Sequence, residues 1–184
     1  MKPKNLCTAG LICFVISYVF FSQGALNNQK PIDFAHWFNL IGATLLFPFN
    51  FVFPKNKLNT IASFITSLGV IAHIGLCTID FIFWSFGNDE IRSEALRIHL
   101  SNTPSILFPF VIIGPSLLFV GLALHASNFI KTHSLKALLV IFGAIIIGLS
   151  YFVLKDGIFM LLGCILFSLG LALLLYRKEE NITI

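Results

Sequence analysis

Thr66, Gly69, His73, Cys77, Asp80 and Trp84 follow one another at intervals of three or four residues. That spacing sets all six on one face of a helix, and the positions between them are mostly Ile, Leu, Phe and Val. A carboxylate and an imidazole on the polar stripe of an apolar helix can hold a proton, a cation or a polar ligand. An ionisable residue inside a membrane span is a functional hypothesis in its own right. Asp33 and His36, three residues apart, open the apolar run before this one, and His99 ends the polar segment after it.

Asp33, His36, His73, Asp80, Trp84 and His99 are therefore the candidate polar pocket. Carboxylates and imidazoles ligate Zn²⁺ and serve as acids and bases, so His36, Asp80 and His99 are the candidates for metal ligation. No spacing here has the specificity of H-E-x-x-H, and the sequence identifies neither a metal nor another cofactor. A plainer reading stands beside this one. Asp33 and His36 cap a helix, His99 belongs to a surface helix, and Trp37 and Trp84 anchor the outer aromatic belt.

The elements that position these residues are membrane spans. Only 11% of the 184 residues are charged and 57% are hydrophobic, with a mean hydropathy of +0.92. A soluble domain has about 25% charged residues. Crossing a hydrocarbon core of ~30 Å takes about 20 residues, and the apolar runs divide into six: 6–22, 34–53, 59–86, 104–129, 135–154 and 157–176. The expectation is an all-α bundle of about six transmembrane helices forming a single domain. Residues 87–103 make an outer loop with the pattern of a short interfacial helix. Pro48 and Gly114-Pro115 predict kinks, and Thr103-Pro104 reads as an N-cap followed by a first-turn proline.

His73 would lie about 18 Å, and Asp80 about 28 Å, from an inner edge near Ile61 at 1.5 Å per residue. Asp33, His36, Asp80 and His99 thus share one membrane level, near the outer headgroups. His125 and His133 fall on the inner side. The offset between His73 and His125 argues against a bis-histidine haem.

Orientation follows from the Lys and Arg count. Lys2, Lys4, Lys55, Lys57, Lys131, Lys136, Arg177 and Lys178 fall on one side, and Lys30, Arg92, Arg97 and Lys155 on the other. The richer side is cytoplasmic, which puts both termini inside. Asn181-Ile182-Thr183 matches a glycosylation acceptor, but on this topology it stays unmodified. The first apolar run resembles a signal peptide, yet its length and the five runs after it favour retention.

The two-residue turn Lys155-Asp156 makes the last two spans antiparallel neighbours. Small residues at Ala144 and Gly148, and at Cys164 and Ser168, suit close packing. The four Cys have no paired spacing and read as packing residues. Dispersed basic residues exclude a nucleic-acid face, and no nucleophile elbow, phosphate-binding loop or dinucleotide fingerprint is present.

Three functions remain open: a small transporter or ligand-binding membrane subunit with an outward-facing pocket between spans 2, 3 and 4; a metal-assisted intramembrane hydrolase of a lipid-like substrate; and a non-catalytic subunit of a membrane complex. The expected partners are the lipid bilayer and a second copy or another membrane protein. The expected location is the cell membrane.

Overall fold

The computed structural model describes residues 2–23 and 32–177. Lys30, Lys178, Glu179, Glu180 and the acceptor triplet at 181–183 lie outside the described residues, so those parts of the topology argument have no structural counterpart.

The described chain is helical: α1 (Pro3–Ser22), α2 (Phe34–Leu46), α3 (Phe49–Val52), α4 (Lys57–Ser85), α5 (Glu90–Ser101), α6 (Pro104–Ile106), α7 (Gly114–Ser127), α8 (Ser134–Leu149) and α9 (Gly157–Leu175). Two π-helical turns interrupt the pattern, Leu107–Ile112 before α7 and Ser150–Leu154 after α8. Five continuous helical segments are long and apolar enough to cross a membrane: Pro3–Ser22, Lys57–Ser85, Pro104–Ser127, Ser134–Leu154 and Gly157–Leu175.

The run at 34–53 is not among those five. Pro48 cannot donate an N–H to the Thr44 carbonyl, so α2 ends at Leu46 and the Phe47 N–H takes that carbonyl instead, at 3.2 Å. Thirteen residues of α2 give about 20 Å of helix, short of a crossing. The expected kink is therefore a break, with α3 continuing after it.

The helices close into a ring in the order α1, α2, α4, α7, α8, α9 and back to α1. The tightest pairings are α1 with α2, α4 with α7 and α8 with α9; the seams between these pairs are looser. Missing side chains explain two of the tight pairings. A Cβ on Gly69 would lie 2.5 Å from Leu118 Cα, and one on Gly143 would lie 2.5 Å from Phe167 N. Backbones that close gain van der Waals contact that lipid cannot replace. The expected small pair Ala144 and Gly148 does not serve this purpose: both line a cavity, and a Cβ on Gly148 would meet nothing within 4 Å.

The outer surface of the ring is apolar, with Phe51, Phe64, Ile71, Phe142 and Val153 each more than half exposed. A patch of this extent needs a non-aqueous neighbour. Buried inside are Phe14, Leu46, Phe49, Leu118, Leu122, Phe167 and Leu171.

Segment 87–103 contains the amphipathic helix α5. Asp89 caps it by accepting from the Arg92 N–H at 3.0 Å, and an Arg97–Glu94 pair at 2.6 Å lies on its surface. Thr103 precedes Pro104 as expected, but its hydroxyl does not cap α6. It donates back to the His99 carbonyl at 2.8 Å.

Candidate functional site

Asp33 sits at the N-cap of α2, where one carboxylate oxygen accepts the His36 backbone N–H at 3.1 Å. Its other oxygen lies 2.6 Å from His36 Nδ1. The capping role and the pairing role are thus filled by the same side chain, because a cap at the first turn puts residue i+3 within reach. From the neighbouring helix, α4 brings Asp80 Oδ2 to 3.3 Å from His36 Nε2. The result is a line of carboxylate, imidazole and carboxylate in which Asp33 is 1% exposed and the Asp80 side chain 31%. The His36 ring is held edge-on by Phe21 and Phe81, with centroids at 5.0 and 6.0 Å.

This line constrains the protons. Each ring nitrogen faces a carboxylate oxygen, and a neutral imidazole offers a single N–H. A doubly protonated ring satisfies both partners and leaves the three groups with net charge −1. A singly protonated ring leaves a lone pair facing a carboxylate, and a proton or another cation must then lie between them.

His73 is buried 2% exposed on the same face of α4. Its Nδ1 lies 3.2 Å from the Gly69 carbonyl, and its ring is packed between Phe14 and Phe119 at 5.7 and 5.8 Å. It lines the same cavity as His36 and Asp80 without joining their hydrogen bonds. Trp84 is half-buried and does not line that cavity. Trp37, nearly half exposed, rests on Phe81 with centroids 5.1 Å apart.

His99 stands exposed on α5. Among the described residues no group of three or more His, Cys, Asp and Glu side chains is placed to hold a metal ion. Of the candidate ligands His36, Asp80 and His99, the first two meet and His99 stands apart on α5. His36 and Asp80 meet through a single contact at Nε2, and Asp33 holds the opposite side of the same imidazole.

The cavity has a volume of about 840 Å³ and is half open rather than enclosed. His36, Asn39 and Asp80 mark one end. Pro115, Phe119, Val120 and Leu124 of α7 and Ile141, Ile145 and Gly148 of α8 form its length. From Pro115 to Ser127 it follows α7 for about 18 Å at 1.5 Å per residue. Val120 and Ile145, each about half exposed, stand at its edge, so the opening runs along the loose seam between α7 and α8. The wall is apolar apart from a few groups gathered mostly at the His36 end.

Both π-helical turns contribute to that end, through Val111 and through Tyr151 and Phe152. Such turns are concentrated at functional sites because they displace a helix wall locally. A hydrogen bond from the Tyr151 hydroxyl to the Val111 carbonyl, 3.2 Å long, joins them.

A second polar network, which sequence reasoning did not assemble, closes the opposite end of the ring from Asp33 and His36. His125 meets Asn59 Oδ1 at 2.8 Å through Nδ1 and Asn50 Oδ1 at 3.2 Å through Nε2. Asn128 donates to Asn59 at 2.7 Å, Asn56 donates to Asn128 at 2.8 Å, and Asn59 donates to the Pro54 carbonyl. This network ties the turn after α3 to α4 and α7. The available signal was the presence of Asn50, Asn59 and His125 inside apolar runs. Comparison with known protein families, with curated proteins and with solved structures finds no match.

Proposed function

We propose that the chain is a multi-pass protein of the cell membrane that binds an amphiphilic ligand, with the polar group at Asp80 and His36 and the apolar chain along the α7–α8 groove. One observation supports this reading: an apolar groove that opens sideways along the α7–α8 seam and ends in the polar pair His36 and Asp80. Ligand sites combine a mostly apolar wall with few, fixed polar groups in this way. A polar group entering from the bilayer would exchange lipid headgroup contacts for Asp80, while its chain remained in apolar surroundings throughout.

In this reading α2 and α3 together form a sixth, proline-broken crossing. Broken helices are tolerated at membrane depth where they are covered by protein, and the Asn50–His125–Asn59 network covers this one. With six crossings, the basic bias favours both termini in the cytoplasm and a pocket open towards the outer leaflet. A transporter and a ligand-binding subunit share this binding step.

The test is photocrosslinking of purified protein in nanodiscs with a diazirine-bearing alkyl-chain amphiphile. Labelling concentrated on α7 and α8, and abolished by Gly148→Leu, is the expected result. Labelling spread evenly over the outward faces of all helices, and unchanged by that substitution, would overturn the proposal.

A further inference from the structure

Four buried side-chain oxygens among the described residues have no hydrogen-bond partner, on Ser17, Asn39, Thr66 and Ser150. Of these residues Asn39 alone lines the cavity. It is 5% exposed and stands one turn inward from His36 on the same face of α2. A buried carbonyl oxygen without a donor is costly. Among the described residues no hydrogen bond holds the amide, so a turn about χ2 brings the oxygen to the cavity wall, where a ligand can supply that donor.

The neighbouring groups limit what the donor can be. Both Asp33 oxygens are engaged, one by the His36 N–H and one by its ring. Asp80 is the acid that reaches the cavity. Even with a doubly protonated His36 the cluster keeps one negative charge, and among the described residues no Lys or Arg lines the cavity. Tyr18, Phe21 and Tyr151 present aromatic rings to the same end, which attract cations through their faces. The site therefore offers negative charge, an unused acceptor and aromatic faces, and it would repel a phosphate or carboxylate headgroup.

We infer that the ligand is a long-chain amine, bound as its ammonium ion, whose N–H groups bond to Asp80 and to Asn39 Oδ1. This inference rests on the amphiphile-binding reading above and adds the headgroup class to it. A protonated amine is selected over a quaternary ammonium because Asn39 needs an N–H, and over an alcohol because Asp80 needs a charge. Charge-assisted hydrogen bonds of this kind are stronger than neutral ones.

The test measures binding of hexadecylamine, hexadecanol, hexadecyltrimethylammonium and hexadecyl sulfate to the full chain in nanodiscs, by competition with a fluorescent alkyl probe. The expected result is at least tenfold tighter binding of the amine than of the other three. Asp80→Asn is expected to remove that preference, with an unchanged thermal unfolding midpoint showing that the variant is folded. Asn39→Leu, which removes the orphan oxygen, should weaken amine binding without lowering thermal stability.

Equal affinity for amine and alcohol would overturn the headgroup inference and leave the groove reading standing. Equal affinity for amine and trimethylammonium would overturn the role given to Asn39 and with it the choice of an N–H donor. Binding of none of the four, with the probe itself insensitive to Gly148→Leu, would overturn the groove reading and this inference together.

Discussion

The Tyr151 hydroxyl donates to the Val111 carbonyl, four residues before Pro115. In an unbroken helix that carbonyl would take the N–H of residue 115, and proline has none. A tyrosine from the next span thus supplies the donor that the proline withholds. Its position over the π-helical turn follows from the second such turn, at Ser150–Leu154.

Tyr151→Phe should therefore destabilise the protein by about 0.5–1.5 kcal/mol, the range for a single hydrogen bond, with membrane values at the lower end. Pro115→Ala restores a backbone N–H, and in that background Tyr151→Phe should cost much less. A double-mutant cycle from reversible SDS unfolding measures the coupling; additive effects would show that the hydroxyl does not substitute for the missing N–H.

Asp33 has two separable roles. Asp33→Asn keeps an oxygen for the His36 N–H and loses the charge facing the ring, whereas Asp33→Ala loses both. The cap alone is worth about 1 kcal/mol, so Ala should be less stable than Asn by about that amount. Thermal unfolding of the two variants beside the parent gives the comparison, and equal stabilities would remove the cap from the account.

The second polar network should be sensitive to its central member. Asn59 accepts from His125 and Asn128 and donates to the Pro54 carbonyl. Asn59→Ala leaves several buried groups unpaired, each costing about 1–3 kcal/mol. Asn56→Ala, nearer the surface, should cost well under half as much. Equal losses in the two variants would mean that burial does not govern this network.

Gly69 and Gly148 should respond oppositely. Gly69 lies against the Leu118 backbone, so Gly69→Val should separate α4 from α7 and destabilise by several times the loss at Tyr151, a large steric effect of the overpacking type. Gly148→Ala meets open space, and alanine is favoured over glycine within a helix by about 1 kcal/mol. Thermal stability should fall sharply in the first and hold or rise in the second.

The helices were legible because hydropathy dominates this sequence. Only Pro48 misled, since periodicity says where a kink lies and not whether the helix resumes at full length. At the site, the spacing of Asp33 and His36 on one turn was readable, and so was the Asp80 stripe. That the two meet across an imidazole depends on α2 packing beside α4, a ring order that single-sequence spacing does not encode. His99 shares their level by residue count, yet α5 turns away from the bundle. Asn39 and Tyr151 escaped notice because neither side chain is charged at neutral pH; their roles come from an orphan carbonyl oxygen and a neighbouring proline.

The ring closes through contacts between its first and last described helices. Thr8 Oγ1 and the Tyr176 hydroxyl lie 2.9 Å apart across 168 positions. During synthesis, which delivers the chain from its N-terminus, α1 and α2 can pair early, but the free flank of α1 must wait in lipid or on an insertion factor for nearly the whole chain to emerge. A ribosome stalled before α9 would expose an open five-sided assembly with its groove unsupported, and quality control would meet a substrate recognisable by that missing side.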